Sequence, residues 1–202
     1  MSKLSAAGFL LWGLASLASA TPQARGRVEP SSGVPTRFIS ERFGFSVKVP
    51  AGWPVFVGSD TPVFFNFPPS ELGPGLSLPK GGATIAMIAQ EDLHGKRRTA
   101  TESEWAAEEA ASSRGVSTGH IEVPPTSGVS DAVTVSCDLA AYALDDQKQR
   151  ELSVYWRFRG GLFAAHLRYV KGDPRAPQYE SILLDVVRSI RPLQPESGSS
   201  LR

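Results

Sequence analysis

Few side chains that could do chemistry occur at the spacing that such chemistry needs. A serine hydrolase of the α/β class holds its nucleophile in a Gly-x-Ser-x-Gly turn. The nearest approach is Gly-Val-Ser-Asp-Ala at residues 128–132, which lacks the final glycine. We therefore interpret Ser130 as a loop residue and predict no catalytic residue.

Residue types that ligate metals occur twice at short spacing. His120 lies two positions before Glu122, and Glu91 and Asp92 precede His94. Neither spacing is diagnostic of a metal site, so both groups are interpreted as surface polar residues. A phosphate loop, a dinucleotide glycine pattern and a His-Glu-x-x-His run are absent from the sequence, and we predict no metal ligand and no cofactor.

A cluster of polar side chains lies on one face of a predicted β-hairpin at residues 151–170. Alternating aromatic and β-branched residues flank Gly160-Gly161, which we predict to be the two central residues of the turn. This register places Tyr155 opposite His166 and Ser153 opposite Arg168. The candidate residues for binding a carboxylate or phosphate on this face are Tyr155, Arg157, His166 and Arg168. The alternative is a solvated sheet face, or one whose arginines pair with acids such as Asp138.

A second candidate binding element is the long irregular segment at residues 68–82. Its four prolines and four glycines exclude regular structure. Irregular segments of this length inside a domain are often functional. The candidate contact residues are its three leucines, Leu72, Leu76 and Leu78. The alternative is a surface insertion without a function.

The amino terminus has the pattern of a signal peptide. Lys3 precedes an apolar run at residues 6–17, and Ala18-Ser19-Ala20 supplies the small residues that signal peptidase requires. The run is too short for a membrane span, and no cysteine follows that could be lipidated. We predict a signal peptide at 1–20, a disordered linker at 21–37, one domain at 38–192 and a disordered tail at 193–202. The protein would be periplasmic or secreted, without a stable membrane span after cleavage.

Charge and cysteine content restrict the partners further. The formal charge is +1, and removal of residues 1–20 takes away Lys3 and leaves the mature chain neutral. A neutral chain does not favour nucleic acid as a partner. Cys137 is the only cysteine, so no intramolecular disulfide can form. It lies in an alternating apolar row, which predicts a buried side chain.

The remaining elements are predicted from periodicity and capping. Residues 43–49 alternate as a half-buried strand, residues 84–89 are apolar enough for a central strand, and residues 132–144 form a long strand before the hairpin. Thr101 and Glu104 fit a capping box that begins a helix running to about Arg114. A closing helix has one apolar stripe that we expect to pack on the hairpin, made of Tyr179, Ile182, Leu183, Val186, Val187 and Ile190.

This order of elements resembles the PsbP-like and DcrB-like domains. The resemblance covers residues 38–192 and rests on Phe-Gly-Phe-Ser-Val-Lys-Val-Pro-Ala-Gly-Trp at 43–53 and Arg-Ser-Ile-Arg-Pro at 188–192. It implies an α+β fold, an α/β/α sandwich with a mostly antiparallel sheet flanked by helices. It also implies accessory or binding proteins without known catalysis. It carries over no functional residue.

We therefore expect an exported, non-catalytic accessory or binding protein of the cell envelope. It would act through contacts with an exported or envelope protein. The first alternative is a small-ligand-binding protein that uses the 68–82 segment, and the second is a hydrolase.

Overall fold

The computed structural model describes residues 26–29, 36–57, 60–93, 98–139 and 147–194, apart from the side chains of Ser130 and Asp131. The predicted signal peptide and residues 195–202 of the predicted tail lie outside this part of the chain. Within it, no helix is both long and apolar enough to cross a membrane.

In the described part of the chain, two antiparallel sheets and two α-helices make an α+β fold. The larger sheet has the strand order β4-β5-β6-β10-β9-β8-β7, and the smaller one has the order β1-β2-β3-β11. The helices are α1 (Glu102–Ser112) and α2 (Ala176–Arg188). The strands are β1 (Gly26–Glu29), β2 (Arg37–Ser40), β3 (Phe45–Lys48), β4 (Val55–Phe56), β5 (Val63–Phe65), β6 (Ala83–Ala89), β7 (Arg114–Ile121), β8 (Val129–Leu139), β9 (Gln149–Phe158), β10 (Gly161–Val170) and β11 (Arg191–Pro192).

Both predicted helices form, and their starts follow local chemistry. The Thr101 hydroxyl accepts from the Glu104 amide at 3.1 Å, while the Glu104 carboxylate accepts from the Thr101 amide at 3.3 Å. This reciprocal pair is the predicted capping box. The helix ends at Ser112, two residues before the predicted end at about Arg114, and β7 begins at Arg114.

The two helices belong to two separate apolar clusters, whose β9 side chains alternate along the strand, and the face of the larger sheet that carries Tyr155 is called the α1 face. Helix α2 contributes its predicted stripe to the main apolar core, which contains Leu183 together with Val154, Trp156 and Phe163. Helix α1 places Trp105 against Tyr155 in a smaller apolar cluster. The polar candidates of the hairpin share the α1 face.

The hairpin forms, but the predicted register was wrong by two residues. Phe158 pairs with Gly161, and Arg159 and Gly160 are the central residues of the turn, with φ values of 46° and 82°. Positive φ at both positions is the geometry of a type I′ turn. A two-residue slip leaves every side chain on its predicted face but changes the residue that it faces across the strands.

The predicted linker at 21–37 was wrong where the structure describes it. Gly26–Glu29 pair with Arg37–Ser40 as the outer strand of the smaller sheet. Strand pairing uses backbone groups and needs little apolar content, and Val28 supplies the one apolar contact with the main core. Arg27 forms ion pairs with Glu29 and Glu41.

Candidate functional site

The candidate site is a buried polar cluster on the α1 face of strands β9 and β10. Ser153 pairs across the strands with His166, and Glu151 pairs with Arg168. Alternation along each strand points these four side chains to the same face. All four are almost fully buried, with exposed fractions between 1% and 4%.

Hydrogen bonds join the four side chains into one network. Arg168 Nε donates to Glu151 Oε2 over 2.7 Å. Ser153 Oγ lies 2.9 Å from Glu151 Oε1 and 2.8 Å from His166 Nδ1. His166 Nδ1 is also 3.3 Å from Glu151 Oε1. Glu151 is therefore the centre of the network and contacts the other three side chains.

The charge of Glu151 is stabilised by its neighbours. Burial would raise the pKa of this carboxyl, but Arg168 and then His166 outweigh burial and hold the pKa below its ordinary value. Charged groups that lose water need such partners, because an unpaired buried charge is costly. Arg168 therefore binds a carboxylate of the protein itself, that of Glu151, and not the carboxylate of a ligand.

The network resembles a Ser-His-Glu catalytic triad in composition but not in geometry. In a triad, serine contacts one ring nitrogen of histidine and the acid contacts the other. Here Ser153 and Glu151 both contact Nδ1 of His166, while Nε2 is buried without a hydrogen-bond partner among the described residues. If Ser153 donates its only proton to Glu151, it accepts from Nδ1–H and cannot be deprotonated by that nitrogen.

Tyr155 and Arg157 lie further along β9, on the same face of the sheet and closer to α1. Tyr155 is fully buried against Trp105, with ring centroids 5.3 Å apart. Burial, and next the charges of Glu109 and Glu151, raise the pKa of Tyr155. Arg157, 36% exposed, donates to the Ala100 carbonyl at 2.6 Å and lies 3.6 Å from the Glu102 carboxylate.

The alternative that the arginines of this face pair with acids is confirmed, because Arg168 pairs with Glu151 and Arg157 with Glu102. The solvated face and the choice of Asp138 as the acid were wrong. Helix α1 covers part of this face, and of its four candidates only Arg157 is partly exposed. Asp138 alternates to the opposite face, where it binds Arg150 at 3.1 Å and Lys171 at 2.8 Å. Glu151 was not among the predicted site residues, because the predicted register did not place it opposite Arg168.

The 68–82 segment is held against the domain by one of its leucines. Leu78 is 5% exposed and packs with Phe65 and Phe67. Its amide donates to Gln147 Oε1 at 2.9 Å, and its carbonyl accepts from Gln147 Nε2 at 2.8 Å. Leu78 therefore serves the fold of the domain, and is too buried to contact a partner.

Leu72 and Leu76 differ from Leu78 because both are half-buried. Leu72 packs at the margin of the Phe65 cluster. Leu76 has a φ of 67°, a left-handed conformation that is uncommon and costly for a residue other than glycine. Its carbonyl accepts from Gln149 Nε2 at 3.2 Å, which holds the strained turn in place.

The other sequence candidates are not brought together. Ser130 lies within β8 and not on a strand-to-helix turn. His120 is exposed on β7, and His94 lies outside the described residues. In the part of the chain that the structure describes, no three His, Cys, Asp or Glu side chains are grouped to hold a metal ion.

Comparison with known proteins gives structural similarity alone. No family model and no curated protein matches the sequence. One similar structure is a protein of Bacteroides thetaiotaomicron, with 11% identity and a TM-score of 0.44. The match covers 86% of this chain and 50% of that one, so this chain spans half of its length.

Two further similar structures are close to this chain in length. A cyanobacterial PsbP of Synechocystis has 15% identity and a TM-score of 0.41, with 81% of this chain and 98% of that one covered. LpqN of Mycobacterium tuberculosis, which is involved in cell envelope biogenesis, has 12% identity and a TM-score of 0.41, with 86% and 95% covered. The presence of a PsbP agrees with the resemblance noted from the order of elements. It concerns the fold alone.

Proposed function

We propose that this chain is an exported, non-catalytic binding protein of the cell envelope, built as an α/β/α sandwich, that acts through contacts with another exported protein. The observation that carries the non-catalytic part is the placement of Ser153 and Glu151 on the same nitrogen of His166. Ser153 is 1% exposed and shares one ring nitrogen of His166 with the Glu151 carboxylate, so it lacks both the access to a substrate and the arrangement of a catalytic triad. The network instead stabilises the sheet.

The binding part of the proposal rests on the strained turn at Leu76. A left-handed backbone at a leucine costs on the order of 1–2 kcal/mol, and such strain persists mainly where a protein uses it. Leu72 and Leu76 are the half-buried leucines of this segment, and the Gln149 side chain holds the turn at Leu76 from the domain side. A fixed turn loses little entropy when a partner binds it.

The variant Leu76→Gly tests the binding surface. Glycine accepts a φ of 67° without strain, so the melting temperature should change little while the side chain that would contact the partner is lost. A photo-crosslinking residue at position 72 should give a discrete crosslinked product in cells, and Leu76→Gly should remove that product. The same crosslinker at the exposed position Ser181 is the control.

The variant Leu78→Ala separates folding from binding. Leu78 is buried, so its truncation should lower the melting temperature, unlike Leu76→Gly. Undiminished crosslinking from position 72 in Leu76→Gly would contradict the proposed surface. Labelling of Ser153 in the native protein by a fluorophosphonate would contradict the non-catalytic assignment.

A further inference from the structure

The smaller sheet carries three cationic side chains on three neighbouring strands. Arg37 of β2 pairs with Lys48 of β3. Arg191 of β11 pairs with Ser46, two positions before Lys48 on β3. Residues that pair across strands point to the same face, and Val47, which alternates with Ser46 and Lys48, lies in the main core. The three cations therefore share the face of the smaller sheet that is directed away from the core, which we call its outer face.

Hydrogen bonds hold the two guanidinium groups at the C-terminal end of α2. Arg37 Nη2 donates to the Ser189 carbonyl over 2.7 Å. Arg191 Nη1 donates to the carbonyls of Arg188 and Ile190 over 2.9 Å and 2.7 Å. The two side chains are half-buried and reach the carbonyls of three consecutive residues. Nη1 of Arg37, and Nε and Nη2 of Arg191, make no hydrogen bond with any described residue and are available to a ligand.

No carboxylate of the described residues forms an ion pair with these three cations. Glu29 faces Arg37 from β1, but its carboxylate is bound by Arg27 at 2.9 Å. The carbonyl end of a helix compensates only about half of one positive charge. Burial, and next the charge of Arg191, lower the pKa of Arg37. Like charges on paired strands destabilise the sheet, so the outer face has an excess of positive charge that an anion would relieve.

We propose that Arg37, Lys48 and Arg191 form a binding site for a phosphate group, carried by a small soluble compound or by the headgroup of an anionic lipid. A phosphate has several oxygens and carries roughly 1.5–2 negative charges at pH 7, which suits donors that come from three strands. A carboxylate has two oxygens and one charge, and satisfies fewer of these donors. Charge-assisted hydrogen bonds from arginine and lysine are the usual contacts of phosphate in proteins.

The site needs little rearrangement to bind its ligand. The backbone carbonyls already hold both guanidinium groups, so little side-chain entropy is lost on binding. Lys48 is exposed, and its ammonium group forms no hydrogen bond with any described residue. The inference goes beyond the function proposed above and does not depend on it, because the ligand is an anion and the site lies outside the 68–82 segment.

Titration of the purified protein with inorganic phosphate tests the site. At constant ionic strength, the backbone amide NMR signals of residues 37, 48 and 191 should shift saturably with phosphate and less with acetate. Lys48→Gln should weaken phosphate binding by about tenfold or more, because a charge-assisted hydrogen bond is lost. Lys48→Glu should abolish binding and raise the melting temperature without phosphate, because its carboxylate would face Arg37. Arg114→Gln removes an exposed cation from β7 and should bind phosphate as wild type does.

Vesicles distinguish the two sources of the phosphate group. If the source is a lipid headgroup, wild type should cosediment with vesicles of phosphatidylcholine and phosphatidylglycerol but not with vesicles of phosphatidylcholine alone. Lys48→Glu should then remain in solution. If the source is a soluble compound, wild type should bind inorganic phosphate without cosedimenting with either kind of vesicle.

Three results would overturn the inference. The first is a protein that binds neither inorganic phosphate nor the anionic vesicles. The second is binding that Lys48→Gln and Lys48→Glu leave unchanged, which would place the anion elsewhere. The third is an equal loss of binding in Arg114→Gln, which would show a response to total charge and not to this site. Because Lys48 is exposed, unchanged thermal unfolding of Lys48→Gln would show that loss of binding does not come from loss of folding.

Discussion

Glu151 and Arg168 face each other across β9 and β10, and their side chains form a 2.7 Å ion pair that is almost fully buried. The same carboxylate contacts Ser153 and His166, so one charged group organises the polar part of the α1 face. A buried pair of this kind adds little net stability compared with apolar residues, but losing one member is costly. The first prediction follows from this asymmetry.

Arg168→Met should destabilise the protein by about 3–5 kcal/mol, because it leaves Glu151 buried without its main partner. The measurement is the free energy of unfolding from urea denaturation at pH 7. Arg27→Met removes exposed ion pairs with Glu29 and Glu41 and should cost less than about 1 kcal/mol. Equal losses of unfolding free energy in the two variants would show that Arg168 is not needed to stabilise the buried charge of Glu151.

The pH dependence of stability should report Glu151. The pKa of this carboxyl is lower in the folded protein than its ordinary value of 4.5. A lowered pKa gives stability that is present above the unfolded pKa and is lost as the pH falls through the folded pKa. Wild type should therefore be more stable than Glu151→Gln at pH 7, and the difference in unfolding free energy should narrow toward about pH 3. A difference that stays constant over this range would contradict the prediction.

Cys137 should react only after unfolding. The thiol is 3% exposed, and burial, followed by the charge of Glu151, raises its pKa, so little thiolate is available. The labelling rate with a maleimide should be far lower in the native protein than in urea. A cysteine at the exposed helix position Ser181 in a Cys137→Ser background is the matched control and should react at once. Rapid native labelling of Cys137 itself would contradict this assignment.

Leu183 should be a principal contact between α2 and the sheet. Its side chain is fully buried in the main core, so Leu183→Ala should cost about 2–5 kcal/mol. Arg188 is exposed at the end of the same helix, and Arg188→Ala should change the unfolding free energy by less than about 1 kcal/mol. Similar small effects of Leu183→Ala and Arg188→Ala on thermal unfolding would mean that the packing of α2 does not depend on Leu183.

Sequence patterns predicted the parts of the fold that depend on local chemistry. The capping box, the stripe of α2 and the buried Cys137 were all confirmed, because each depends on periodicity or on residues three or four positions apart. The two faces of the hairpin were also correct. A slip of two residues does not change which side of a sheet a side chain occupies.

The hairpin register was not predictable from the turn alone. Gly160-Gly161 supplies glycine at both positions that need a positive φ, whereas Arg159-Gly160 needs a positive φ at an arginine, which is uncommon. The second arrangement places Glu151 opposite Arg168 and satisfies two buried charges, whereas the first would pair Arg168 with Ser153. The long-range ion pair favours this register. The network of Glu151, Ser153, His166 and Arg168 could not be predicted from the sequence, because it requires the observed register.

The pairing of β1 also lay beyond sequence patterns. Gly26–Glu29 contain one large apolar residue, so hydrophobic periodicity gives no signal for a strand. The backbone of β2 provides the partner, and such pairing depends on the position of another strand and not on local composition.

The smaller sheet joins the two ends of the domain. Strand β11 pairs with β3, and Arg37 donates to the Ser189 carbonyl, 152 residues further along the chain, at 2.7 Å. Contacts of such high sequence separation form late, because closing a long loop costs entropy before any contact is gained. During synthesis β3 therefore lacks its last neighbour until almost all of the domain has been made. A chain that stops before Arg191 would leave β3 as an open edge, exposed to pairing with other chains.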